Sequence, residues 1–358
     1  MTSAADEGTK PTPENESLPA ERLIKKIGFL GISDYGLKQL EVVASRYEVS
    51  FATLKQKSAK HADALASSVE DLCRERGIPF LGSVNANSSE IVERAAETDL
   101  VIIGGYDAIL KEPILEAPRY GVLNTHLGVL PLNRGCFPTM WAQIHGLPQG
   151  YTTYQVGRAI DHGAVLDLYE ADASLGGLTQ TNRQVYDELA RRAVERFAAA
   201  LDRYERGQTL APCRGLEAYH RKGLPNDGWL SFHWSNAFLR RFSLALDFSP
   251  YMPGSTSVGD SEEKLFLAIE DLDEDALRAS IDPSVTLSDC AIGQVLSCKD
   301  ASITVRTEGG ALGFRCVGGA ADSVCVGCVL RSRGNIGSHP IDLLFAGDVL
   351  PLDPYQRT

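Results

Sequence analysis

The stretch GVLNTHLGVLPLNRGCFPTMWAQIHGLPQGYTTYQVGRAIDHG, Gly121 to Gly163, decides how the rest of the chain is read. It opens on an apolar strand end and places Asn124 and His126 two residues apart. Alternate residues of a strand share a face, so both polar side chains can enter one pocket. Leu130-Pro131 and Asn133-Arg134-Gly135 follow as loop and turn chemistry. Asp161 closes the stretch just before Gly163. An amide donor, a titratable base and a carboxylate are the parts that acyl transfer to an amine requires.

Upstream of this stretch the chain alternates between apolar runs and helical spacing. Strands are predicted at Ile24 to Ile32, Val49 to Leu54, Ile78 to Leu81, Leu100 to Ile103 and Tyr120 to Asn124. Helices are predicted at Leu37 to Tyr47, Lys60 to Arg76, Glu90 to Glu97 with Ser88 as cap, and Pro113 to Ala117. That alternation gives an α/β domain with a mostly parallel sheet. Ligands of such sheets gather at the carboxyl ends of strands, where Tyr106, Asn124 and His126 fall. Gly31 and Gly36 lack the full GxGxxG spacing, so a tight turn is read there rather than a dinucleotide site.

Downstream, a helix is expected at Thr139 to His145, strands at Thr152 to Val156 and Gly163 to Glu170, and a long amphipathic helix at Thr179 to Arg206. After Asp227 the pattern changes. Trp229 to Trp234 alternates, and Asn236 to Leu246 is helical. Short β segments follow at Lys264 to Ile269, Gly293 to Cys298, Ser302 to Thr307 and Gly313 to Val317, between Gly-rich turns, with a last apolar segment at Asp342 to Leu350. This reads as a small antiparallel barrel or sandwich. The division is a flexible leader at 1–21, a first domain at 22–207, a linker at 208–226 and a second domain at 227–358.

The 358 residues suit two domains, and 44% hydrophobic content supplies an ordinary core. Acidic residues outnumber basic ones, 47 to 35, for a net charge of −12. Such a surface repels phosphate backbones, so no nucleic-acid partner is expected. No apolar run reaches membrane length and no apolar signal region opens the chain, which points to the cytoplasm and no membrane partner. The eight Cys read as reduced thiols. Cys325-Val-Gly-Cys328 has the spacing of half a zinc site, but no second Cys pair or His pair matches it, so no metal is expected.

The ordered set Asn124-Thr125-His126, Leu130-Pro131, Asn133-Arg134-Gly135, Thr152-Thr153 and Asp161-His162-Gly163 resembles the folate-dependent formyltransferase family. The wording LeuProLeuAsnArgGly, followed by Pro138 and Trp141, is most similar to the amino-sugar N-formyltransferases. The turn Ser249 to Gly254 resembles the one opening the second domain of methionyl-transfer-RNA formyltransferases, whose small barrel is of the oligonucleotide-binding type. The resemblance implies a Rossmann-like catalytic domain that takes a formyl group from N10-formyltetrahydrofolate and gives it to a primary amine.

It further implies that Asn124 and His126 polarise the formyl oxygen and that Asp161 relays protons. The folate slot would lie between Tyr106, Ala108, Ile109 and Leu110 on one side and Gly157, Arg158 and Ile160 on the other. Asn133, Arg134 and Gly135 overhang the pocket mouth, where an exposed guanidinium would meet a phosphate or carboxylate of the acceptor. Tyr154 departs from the family, where a His often sits nearby, and this opens the acceptor to a peptide amine, an aminoglycoside or another natural-product amine. The expectation is a small-molecule amine acceptor, most simply a nucleotide-linked amino sugar, with a homodimer left open. The alternatives are a methionyl-transfer-RNA formyltransferase and a folate-binding module without catalysis.

Overall fold

The computed structural model describes residues 21–54, 62–106, 108–172, 174–211, 217–220, 222–248, 251, 253–333 and 349–350. In chain order the first half runs β1 (Lys26–Ile32), α1 (Asp34–Ala44), β2 (Glu48–Leu54), α2 (Ala62–Arg76), β3 (Phe80–Ser83), α3 (Ser89–Ala96), β4 (Leu100–Gly104), α4 (Glu112–Glu116) and β5 (Val122–His126). Then come β6 (Arg134–Gly135), α5 (Pro138–His145), β7 (Gly150–Val156), β8 (Gly163–Glu170), α6 (Asn182–Glu205) and β9 (Tyr219–His220). The remainder is α7 (Asn236–Leu246), β10 (Gly254–Thr256), β11 (Leu265–Ile269), α8 (Glu274–Ser280), β12 (Val295–Lys299), β13 (Ser302–Thr307), β14 (Gly310–Gly319) and β15 (Val349–Leu350).

The main sheet has seven strands in the order β3-β2-β1-β4-β5-β7-β8. It is parallel from β3 to β5, and β7 and β8 extend it antiparallel. The parallel strands are continuous apolar runs because helices cover both faces. All five residues of β4 are buried. Leu40, Leu123 and Phe197 share one core on one face of the sheet, and Val101, Ile91 and Ile114 share another. The step from parallel to antiparallel falls at β5, and that is what places the site. Asn124 pairs with Tyr154 and His126 with Thr152 across the β5–β7 ladder. Residues directly opposite in such a ladder stand close enough for their side chains to interact.

The second sheet has five antiparallel strands in the order β10-β11-β14-β13-β12. Its two edges meet on one segment: Leu330 bridges to Val258 beyond β10, and Val329 bridges to Gln294 before β12. The sheet thus curls into the expected barrel-like form. Its core is shared with the first half of the chain. Met140, Trp141 and Ile144 of α5 pack in one cluster with Trp234, Phe242, Leu267 and Phe314.

Some local expectations change. Ser88 stands at the cap position of α3 but its hydroxyl makes no capping bond, whereas Thr181 and Gln184 form a full capping box on α6. Trp229 to Trp234 is not a strand. Trp229 alone bridges to Ser255, while Phe232 lies in a turn and Trp234 in a bend, and both rings sit in the core. The helix α8 was not anticipated, because it buries no residue and so has no apolar stripe to read. The leader at 1–20, residues 212–216 and 221 of the linker, residues 249, 250 and 252 of the turn, and 342–348 of the last apolar segment lie outside the described residues.

Candidate active site

Asn124 and His126 lie at the end of β5, as alternate residues of one strand. His126 is buried, with 8% of its surface exposed. Its Nε2 lies 2.7 Å from the main-chain oxygen of Asn133. A carbonyl can only accept, so Nε2 carries the proton and donates. Nδ1 is then the nitrogen left for chemistry, and it lies 3.8 Å from Asp161 Oδ2. The fit is close. A Cβ on Gly128 would stand 2.8 Å from His126 Nε2 and 2.9 Å from the Asn133 oxygen, so only glycine fits between them.

Asp161 sits just before β8 in a left-handed backbone conformation, with φ 47°, which Asp tolerates better than most residues. Two donors hold its carboxylate. The Gly135 N–H donates to Oδ2 at 2.7 Å, and the Tyr154 hydroxyl donates to Oδ1 at 2.9 Å. Asn124 Nδ2 in turn donates to the Tyr154 oxygen at 3.2 Å. Burial, with the charge of Asp161 beside it, pushes the Tyr154 phenol well above its ordinary range, so it keeps its proton and remains a donor. Asn124, Tyr154, Asp161 and His126 thus form one connected constellation. Tyr154 is the member that sequence reasoning missed as a site residue. Its departure from the family pattern was the available signal, and the pairing of Asn124 with Tyr154 gives it meaning.

Asn133, Arg134 and Gly135 depart from expectation. Asn133 is fully buried and Arg134 is only 4% exposed. The Arg134 guanidinium does not face an open mouth. Its Nε donates to the main-chain oxygen of Ile160 at 2.8 Å, and one terminal nitrogen donates to the same oxygen at 2.5 Å. Its other terminal nitrogen lies 3.3 Å from Glu217 Oε2. Arg134 therefore grips the peptide that leads into Asp161, while the next residue, Gly135, grips the carboxylate itself. The reason is the pairing of β6 with β9, which draws the loop inward onto the segment at 217–220.

The expected folate rim is more open. Ile109 is 51% exposed, and Leu110 is buried beneath the rim. The Gly157 N–H is bonded to the His162 oxygen, and the Ile160 oxygen is taken by Arg134. The Tyr106 hydroxyl binds the backbone of Ala86 and Val84. Ala108 is exposed. Arg158 reaches across to Glu112 at 2.7 Å and Glu116 at 3.0 Å, which ties its loop to α4 at the surface. For a flat heterocycle the rim offers apolar surface at Ile109 more than unspent backbone groups. Among the described residues no group of three or more His, Cys, Asp or Glu is arranged to hold a metal ion. No helix there is long and apolar enough to cross a membrane.

Comparison with known proteins bears on the fold that carries these residues. Residues 46–201 match the sequence profile of the formyl transferase family. A methionyl-tRNA formyltransferase of Citrifermentans bemidjiense is 27% identical over 191 residues, which are 52% of this chain and 59% of that protein. Among solved structures, a 4-N formyltransferase from Francisella tularensis superposes with a TM-score of 0.57 at 16% identity, over 70% of this chain and 98% of its own. An N-formyltransferase from Helicobacter canadensis, solved with folinic acid and dTDP-3-aminofucose, superposes with a TM-score of 0.57 at 13% identity, over 82% and 99%. At these identities the structures speak for the fold alone. The profile match thus makes residues 46–201 of this chain similar to the formyl transferase family, on the fold that carries the site.

Proposed function

We propose that this chain transfers a formyl group from N10-formyltetrahydrofolate to a primary amine on a small acceptor, with a nucleotide-linked amino sugar as the substrate class. One observation carries the reading: a carboxylate fixed by two donors faces a histidine whose other nitrogen is committed to a carbonyl. The folate supplies the formyl group as an activated amide. The protein must then take a proton from the attacking amine, steady the negative oxygen and return a proton to the leaving nitrogen. Asp161 accepts the amine proton, and His126 Nδ1, 3.8 Å away, shares it. Asn124 spends one N–H on Tyr154 and has a second for the oxyanion. Removing such a donor costs about 2.7–4 kcal/mol of barrier in related chemistry. Tyr154 keeps Asn124 and Asp161 in register from between them.

Two facts favour a small acceptor. The net charge of −12 opposes a polyphosphate partner, and sugar N-formyltransferases share the fold over nearly their whole length. The methionyl-tRNA reading has its own support in the sequence relatives. The test offers formyltetrahydrofolate with nucleotide-linked amino sugars, an aminoglycoside, a peptide amine and charged initiator transfer RNA, and reads product mass. The expected product is a formylated amino sugar. Formylation confined to the transfer RNA overturns the acceptor assignment, and no product from any amine overturns the activity.

A further inference from the structure

Behind the candidate site lies a buried cluster that the chemistry above does not use. The β6–β9 pairing sets Gly135 beside His220. The His220 oxygen accepts the Cys136 N–H at 2.9 Å. It would lie 2.1 Å from a Cβ on Gly135, a contact that only glycine permits. The His220 ring is fully buried and stacks on Trp141, with centroids 4.9 Å apart and planes 9° apart, and His145 tilts against both. His220 Nε2 lies 2.9 Å from Asn133 Oδ1. Asn133 is the residue whose main-chain oxygen takes the His126 Nε2 proton. One buried residue therefore links two histidines, by its carbonyl to one and its side chain to the other.

We propose that His220 is a positioning residue for His126, holding Asn133 so that its carbonyl keeps the His126 ring turned with Nδ1 toward Asp161. The ring of His220 is neutral in this role. Burial, with His145 and His126 nearby, pushes it down to about 3, so Nε2–H donates to the amide oxygen and Nδ1 has no partner among the described residues. Trp141 fixes the plane of the ring, so the donor cannot swing away.

The test compares His220→Phe, which keeps the stacking and loses the donor, with His220→Gln, whose amide nitrogen falls near the original Nε2. The kinetic arm rests on the formyl-transfer reading. It expects kcat to fall tenfold or more in the Phe variant, both KM values to stay within twofold, and the Gln variant to recover to within about threefold of wild type. The second arm needs no activity. Long-range proton–nitrogen spectra of 15N-histidine protein should show His126 protonated on Nε2 in wild type and in the Gln variant, and a mixed tautomer in the Phe variant. A wild-type His126 signal in the Phe variant overturns the proposal. So do equal losses in the two variants that track their melting temperatures. Should the Phe variant not fold, His220→Asn replaces it, because its amide falls a methylene short of Asn133. If no chain forms product, the formyl-transfer reading fails and the spectra alone decide the role of His220.

Discussion

The two walls around His126 are built differently. The loop from Leu127 to Gly135 is nearly all interior: Leu127, Val129, Leu130, Asn133 and Arg134 are each under 9% exposed, and hydrogen bonds tie it to Thr152, Ile160, Asp161, Ala218 and His220. The rim at Tyr106 to Leu110 and Gly157 to Ile160 is a surface, with Ile109 half exposed and the Arg158 side chain 76% exposed. A wall bonded to several strands keeps reacting groups in place before any ligand arrives, which is what catalysis by pre-set charges and donors needs. A rim can adapt to a ligand without disturbing that geometry. Damage to the inner wall should therefore cost stability and turnover together, and damage to the rim should cost affinity at most.

The largest expected effect is on chemistry. His126→Ala or Asp161→Ala should lower kcat by about 10²–10⁴, the range for a positioned acid or base, with each variant still folding cooperatively. If the two groups act as a unit, the double variant should lose little more than the worse single one. Full additivity in steady-state kinetics would separate them and leave Asp161 as a turn residue before Gly163.

The next effect is on stability. Arg134→Ala removes two bonds to the Ile160 oxygen and the contact with Glu217. A hydrogen bond to a charged group contributes about 1.5–3 kcal/mol, so denaturant titration should show a loss of about 2–4 kcal/mol. Turnover should fall as well, because the peptide leading into Asp161 loses its anchor. If instead only the acceptor KM rises, with stability unchanged, the guanidinium faces substrate and the contrast between the walls collapses.

This residue also marks where reading the sequence stops. The α/β order, the strand carrying Asn124 and His126, and the second β sheet were legible because apolar runs and helical spacing are local patterns. So was the meeting of His126 with Asp161, because the motif resemblance implied it. The direction of Arg134 was not legible. It depends on a two-residue parallel pairing with a segment 85 residues away, since Arg134 pairs with Tyr219, and no local pattern encodes that. For the same reason the bridge made by Tyr154 appears only once the β5–β7 register is known.

The histidines packed behind the inner wall should also sense acid. Burial pushes His145 down to about 4 and His220 to about 3. Unfolded, each takes up a proton near pH 6.5. Below that pH the unfolded chain binds more protons than the folded one, so stability is present above about 6.5 and is lost as pH falls toward 4. Each histidine adds a slope of about 1.4 kcal/mol per pH unit in that window. His145→Gln should remove one such contribution, and unfolding curves at pH 7 and pH 5 would show it. An equal pH dependence in variant and wild type would mean that water reaches these rings.

The smallest expected effect belongs to Arg158, and it tests the other side of the comparison. The resemblance puts this residue on one side of the folate slot. Its guanidinium is instead paired with Glu112 and Glu116, and all three side chains are half exposed or more. Exposed pairs of this kind contribute about 0–1 kcal/mol, so Arg158→Ala should leave the melting temperature almost unchanged. To meet a glutamyl carboxylate, Arg158 would have to leave two carboxylates of the same kind, and little net attraction remains for the exchange. The folate KM should therefore shift by less than about threefold, weakening further with salt because the site is open to solvent. A rise of tenfold or more would show that the ligand displaces Glu112 and Glu116. Arg158 would then be a binding residue that only the loaded rim assembles, and the rim would rank with the inner wall in specificity while still contributing nothing to the stability of the free protein.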